Sequence, residues 1–247
     1  MSGTRSPSPK APATEALIVA HGQPSDPEPA EARLAELAAR VQSHLPDHRV
    51  TSATMAAPDA LENALARAGD DTLIYPLFMA DGWFVRTALR KRLDGHNVQV
   101  LPPMGLDPAL PAVAAIAIRE AAALRGYDLH DTSVLLAAHG SARGQKAAES
   151  ARIFANHLAQ ILPVARIAPT FVEQAPYIAE TAQSLPGPAL CLPFFAQEGE
   201  HVRDDVNGTL RGLGFAGPLL PALGLCPGIP QLIANALRQE TRERAAA

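Results

Sequence analysis

Two kinds of apolar pattern alternate along this chain. Residues 16–20 and 133–138 are short continuous apolar runs of strand length, suited to strands covered on both faces. Between such runs the apolar residues step by three and four. In 147–162, Ala151, Phe154, Leu158 and Ile161 fall on one helical face. The second half of the chain then predicts strands at 165–172, 189–195 and 215–220. It predicts helices at 176–185, 200–213 and 227–237, with Gly208 expected to interrupt the middle one. The first half follows the same order.

The two halves also resemble each other residue by residue. Ala16-Leu17-Ile18-Val19-Ala20-His21-Gly22 aligns with Val134-Leu135-Leu136-Ala137-Ala138-His139-Gly140 at an offset of 118. Ala57-Pro58 aligns with Ala175-Pro176 at the same offset of 118. Pro76-Leu77-Phe78 and Gly82-Trp83-Phe84-Val85-Arg86 align with Pro193-Phe194-Phe195 and Gly199-Glu200-His201-Val202-Arg203 at 117. Leu101-Pro102, Gly105-Leu106, Pro108 and Pro111 align with Leu220-Pro221, Gly224-Leu225, Pro227 and Pro230 at 119. Matching blocks in one order at nearly one offset indicate a tandem duplication. The expected fold is α/β. Two similar lobes, 15–126 and 127–247, would each be a four-stranded parallel sheet flanked by helices.

Composition narrows the classes. Of 247 residues, 47% are hydrophobic and 19% charged, too apolar for a disordered chain and too charged for a membrane protein. The net charge of -4 excludes nucleic-acid binding driven by bulk charge. Two cysteines, Cys191 and Cys226, are too few for a disulfide scaffold and lack zinc-site spacing. Residues 1–14 are rich in Ser, Pro and Ala without an apolar targeting segment, and read as a disordered leader of a cytoplasmic protein. A charged, frayed tail is expected over 238–247.

In parallel sheets, ligands bind beyond the carboxyl ends of the strands. Three polar residues of the second half fall there: His139, Glu173 and His201. Each taken alone reads as well as a turn, a helix-start carboxylate or a solvated histidine. Jointly they suit a borderline divalent ion such as Co²⁺, Fe²⁺, Ni²⁺ or Zn²⁺, with positions left open for substrate. In the first half His21 is kept, while Met55 stands for Glu173 and Phe84 for His201. Trp83 and Phe84 there offer either ordinary packing or a flat wall for a planar ligand. His44, His48, His96, His130 and His157 fall in helices or turns and receive no chemistry. The segment from Gly140 to Lys146 is one residue short of a phosphate loop and lacks the following Ser or Thr, which argues against ATP. Ser141 lies outside any GxSxG elbow, so a hydrolase built on His21 or His139 is the weakest reading.

His139-Gly140-Ser141, Phe171-Val172-Glu173 with Ala175-Pro176, and Pro193-Phe194-Phe195 followed by Gly199 to Asp205 together resemble the sirohydrochlorin chelatases of the CbiX type, in the class II chelatase superfamily. The resemblance runs over both halves. It implies ATP-independent insertion of Co²⁺ or Fe²⁺ into a tetrapyrrole, in cobalamin or siroheme formation, with no cofactor beyond the metal substrate. It implies two lobes facing each other over a cleft that one chain can form, with no nucleic-acid or membrane partner. Carried over, His139 and His201 match the metal histidines and Glu173 the acidic position. A polycarboxylate substrate calls for a locally basic cleft, for which Arg86, Arg143 and Arg203 are the candidates, with Lys146 beside them. Members of this length are expected to carry the full histidine set in the first half, and this chain carries it in the second. Three accounts fit: a switched active lobe, His21 facing the second-half site across the cleft, or a non-catalytic metal or tetrapyrrole carrier derived from the family.

Overall fold

The computed structural model describes residues 14–141 and 144–246. The first half runs β1 (Thr14–Ala20), α1 (Pro27–His44), β2 (His48–Thr54), α2 (Ala60–Leu65) and β3 (Thr72–Pro76). A π-helical segment (Phe84–Leu89) continues into α3 (Arg90–Arg92), followed by β4 (Val98–Val100) and α4 (Leu110–Arg125). The second half runs β5 (Ser133–Ala138), α5 (Lys146–Ile161), β6 (Arg166–Phe171), α6 (Ile178–Ser184) and β7 (Ala189–Pro193). A second π-helical segment (His201–Val206) continues into α7 (Asn207–Gly212), and α8 (Ile229–Ala246) closes the chain.

All strand pairs are parallel, in the orders β2-β1-β3-β4 and β6-β5-β7. Every residue of β5 is buried, which is why its sequence is apolar without alternation. From β1 the chain crosses to β2 on one side and then to β3 on the other. β5, β6 and β7 repeat the move. The order therefore reverses beside β1 and beside β5, and a crevice opens at the carboxyl end of each. His21 and His139 sit at these two points.

Four expectations are corrected. Thr14 is the first residue of β1, paired with His48, and does not belong to the leader; residues 1–13 lie outside the described residues. The second sheet has three strands, because the expected fourth is reduced to a single bridge between Cys191 and Leu219. Pro218 has no N–H to donate, and a Cβ at Gly217 would lie 1.8 Å from the carbonyl oxygen of Ala189, so only this short stretch can approach β7. Gly208 does not interrupt its helix, which continues from the π-helical segment. The tail is not frayed: α8 continues to Ala246.

That long helix has polar partners in the other half. Thr241 Oγ1 lies 3.0 Å from Nε2 of His48, Arg238 donates to the carbonyl oxygen of His44 at 2.8 Å, and Arg244 donates to Oε1 of Gln99 at 2.7 Å. α8 packs on α1 and β3, whereas α4 packs on α5 and β7. Each half thus lends its closing helix to the other. One core joins them, with Leu34, Val41 and Tyr75 from the first half and Phe154, Leu158, Ile233 and Leu237 from the second. Burying Ile229, Ile233 and Leu237 of α8, none of them exposed, stabilises this union by roughly 2 kcal/mol each. The repeat boundary near residue 126 is a boundary of sequence that the closing helices cross.

Candidate active site

His139 directly follows β5, and the glycine behind it aims it. Gly140 has φ +71°, and a Cβ there would meet Phe171 Cβ and Gln174 Cγ at 2.9 Å. Glycine alone lets the chain turn so tightly against the end of β6. The amide of Ser141 then donates to Oε1 of Gln174 at 2.9 Å, and the amide of Glu173 to the carbonyl oxygen of His139 at 3.0 Å. His201 opens the π-helical segment after β7, which Val202 and Val206 anchor in the interior. Such widened turns recur where a side chain must be displayed at a site.

The two imidazoles meet. Nε2 of His139 lies 3.0 Å from Nε2 of His201, with ring centroids 4.3 Å apart and planes at 81°. Their other nitrogens are engaged. Nδ1 of His139 is 3.1 Å from the carbonyl oxygen of Gly140, and Nδ1 of His201 is 2.7 Å from Oδ2 of Asp205. With both Nδ1–H groups donating, both Nε2 lone pairs converge on one point, where they repel unless something positive lies between them. Two nitrogens 3.0 Å apart, each about 2.1 Å from a divalent ion, subtend about 90° at it, a cis pair in a six-coordinate shell. The four side chains His139, Glu173, His201 and Asp205 are 38–48% exposed, so coordination positions remain open to solvent and substrate.

The expected trio is rearranged. Oε2 of Glu173 lies 3.7 Å from Nδ1 of His139, at the opposite edge of the ring from His201. In this arrangement the carboxylate faces Nδ1 of His139 and not the two Nε2 atoms. Among the described residues, no three His, Cys, Asp or Glu side chains are grouped to hold a metal ion. The structure thus brings together an imidazole pair with one carboxylate behind each ring. Asp205, behind His201, is the residue that sequence reasoning passed over. Its signal was the four-residue step from His201 on a helix.

The first half repeats the frame without the second imidazole or the carboxylates. Nδ1 of His21 is 2.9 Å from the carbonyl oxygen of Gly22, whose φ is +80°. The His21 and Phe84 rings lie 4.4 Å apart at 81°, reproducing the histidine pair with phenylalanine in place of His201. Met55 packs into the core in the place of Glu173. Trp83 and Phe84 form an outward aromatic face, 64% and 42% exposed, with Phe78 stacked on Phe84 at 6.4 Å.

Among the described residues, the expected basic candidates are engaged elsewhere or stand among acidic neighbours. Glu198, Glu200, Asp204 and Asp205 surround His201 in sequence, against Arg203 alone, which is exposed. Arg86 is held by Asp81 at 2.7 Å, Lys146 by Glu149 at 2.9 Å, and Arg143 lies outside the described residues. An acidic margin favours the approach of a cation over that of a polycarboxylate. Among the described residues, no helix is long and apolar enough to cross a membrane.

The CbiX family model matches residues 15–121. The chain is similar to the structure of CbiX, the terminal enzyme for biosynthesis of siroheme in denitrifying bacteria. The two are 46% identical with a TM-score of 0.83, over 91% of this chain and 98% of that one. SirB from Bacillus subtilis with Fe³⁺ shares the fold at 16% identity and a TM-score of 0.73, over 92% of this chain and 95% of that one. SirB from Bacillus subtilis subspecies spizizenii in complex with cobalt does so at 14% identity and a TM-score of 0.66, over 92% and 94%. No significant match is found among curated proteins. With identity near one half over almost the whole of a CbiX relative, this chain belongs to the CbiX family of sirohydrochlorin chelatases.

Proposed function

We propose that this chain inserts a divalent metal ion, Co²⁺ or Fe²⁺, into sirohydrochlorin or a closely related tetrapyrrole without ATP. The observation that carries this reading is the two Nε2 atoms 3.0 Å apart, each ring having its Nδ1 in a hydrogen bond. The CbiX relative, an enzyme of siroheme biosynthesis, supports the same class of substrate.

In this reading the ion is substrate and is only borrowed. Two neutral imidazoles bind it firmly enough to strip part of its water shell and loosely enough to release it to four ring nitrogens. Asp205 and Glu173 hold the rings and add negative charge behind them. Insertion then requires loss of two pyrrole protons. Glu173, half-exposed at the edge of His139, is one candidate acceptor.

The test is an absorbance assay of the full chain with sirohydrochlorin and either Co²⁺ or Fe²⁺, without ATP. Insertion above the protein-free rate, lost in both His139→Ala and His201→Ala, is the expected result. Binding of metal and tetrapyrrole with insertion no faster than the protein-free rate assigns a carrier instead. Running the two metals side by side decides between cobalt and iron.

A further inference from the structure

We propose that His21 accepts a pyrrole proton from the first half, on the face of the macrocycle opposite the imidazole pair. This rests on the chelatase reading above. The duplication kept the histidine and its aiming device, the positive-φ glycine with its carbonyl on Nδ1, and removed everything that would make it a metal site. Phe84 replaces the second imidazole, Met55 replaces Glu173, and Ala88 stands at the position of Asp205. A lone imidazole without a second nitrogen or a carboxylate cannot compete with His139 and His201 for the ion. It retains what a base needs, a lone pair on Nε2, because Nδ1–H donates to the carbonyl oxygen of Gly22 at 2.9 Å.

The loops that carry the two sites meet. Ser25, in the loop after His21, donates from Oγ to Oε1 of Glu200, the residue before His201, at 3.3 Å. The exposed Trp83–Phe84 face next to His21 suits one side of a flat conjugated ring. The imidazole pair then meets the other side. Chemistry favours this division. A ring that turns nitrogen lone pairs toward an ion on one face tilts its N–H bonds toward the opposite face, so the base belongs there. Two N–H bonds break and four N–metal bonds form, two with the electron pairs of the broken N–H bonds and two with lone pairs the other ring nitrogens already hold, as the ion leaves His139 and His201. Both protons leave on that face through Nε2 of His21, the second after the first has passed to solvent. The ion stays divalent, so no oxidant or reductant takes part.

The experiment compares the full-length parent protein with His21→Asn, which keeps a donor for the Gly22 carbonyl but lacks the base, and with His21→Ala. Co²⁺ binding is measured alone by calorimetry, and insertion by absorbance with sirohydrochlorin varied. The expected result is parental Co²⁺ affinity and KM with kcat at least about 100-fold lower in both variants. Added imidazole should restore part of the rate in His21→Ala. Parental kcat in His21→Asn overturns the proposal. Loss of Co²⁺ affinity in step with kcat also overturns it, because His21 would then be a ligand or a structural residue. Failure of His21→Asn to fold leaves the decision to imidazole rescue of His21→Ala, whose absence counts against the proposal. A parent that inserts no metal overturns the chelatase reading and this inference together, whereas parental insertion with unchanged variants overturns this inference alone.

Discussion

Replacing Asp205 by Asn isolates the charge behind His201 from the hydrogen bond it makes. Oδ2 lies 2.7 Å from Nδ1 of His201. Adding the width of the ring and one metal–nitrogen bond puts the carboxylate about 7 Å from an ion held on Nε2. Because Asp205 and His201 are both nearly half exposed, bulk-water screening applies. A unit charge then attracts a divalent ion at this range by about 1.2 kcal/mol. That corresponds to about an 8-fold change in affinity, close to the lower end of the roughly 10–100-fold cost of losing an outer partner of a metal-bound histidine. Asn can still accept from Nδ1–H, so the ring keeps its orientation. Asp205→Ala loses that acceptor too and should fall toward the upper end of the range. The assay is calorimetric titration with Co²⁺ alone at low salt, repeated near 1 M salt. There the Asn effect should shrink as the Debye length drops to about 3 Å, while the Ala effect should persist. Unchanged affinity in Asp205→Ala would refute the assignment of His201 Nε2 as a ligand. Equal losses in Asn and Ala would refute the separation of charge from orientation.

Three further outcomes follow from other residues. Gly140→Ala puts a Cβ 2.9 Å from Phe171 and demands φ +71°, costing at least about 2 kcal/mol; a fall in melting temperature of about 4–8 °C together with weaker Co²⁺ binding is expected, and a parental melt would contradict the packing argument. Burial beneath α8, then the neighbouring Arg238 charge, holds the His48 pKa below its ordinary 6.5 despite Asp47. The unfolded chain therefore takes up the proton first, and stability present above about pH 6.5 is lost as the pH falls below it. Melting between pH 7.5 and 5.5 should be steeper in the parent than in His48→Gln, and equal slopes would remove His48 from the account. Glu15 and Glu62 are held low, by the Gly69 amide and by Arg92 respectively, and titrate below this window. Phe84→His with Ala88→Asp rebuilds in the first half what His201 and Asp205 provide in the second. Calorimetry should count a second Co²⁺, and an unchanged stoichiometry would show that the shared ring geometry is not enough.

What the residues disclosed in advance was whatever depends on short-range pattern. The run at 133–138 suited a strand covered on both faces, and β5 occupies those residues. The offset of 117 between Phe84 and His201 already paired the two positions that the structure shows in one geometry, at 4.4 and 4.3 Å from their histidines. Rules about strand ends placed His139 and His201 at one edge. They said nothing about which ring nitrogen each neighbour would face, and Glu173 lies 3.7 Å from Nδ1 of His139. The tail at 238–246 looked frayed because its partners are polar groups some 150 to 190 residues away, such as Gln99 and His48. Hydrophobic periodicity does not register such partners. The missing fourth strand of the second sheet turned on a carbonyl of Ala189 meeting Gly217, a long-range contact of the same kind.

The exchange of closing helices has a consequence for synthesis. The first half cannot complete its interior until α8 exists, and α8 ends at Ala246. After Gly126 caps α4, a further stretch of about 120 residues must be translated, which takes roughly 6–25 s at ribosomal speeds. For that interval the surface of α1 and β3 that α8 will cover stands open. The nascent chain thus offers an apolar groove to chaperones or to the same groove on a neighbouring copy. Ribosome-bound chains stopped at residue 126 should be protease-sensitive in α1, and chains released at full length should not.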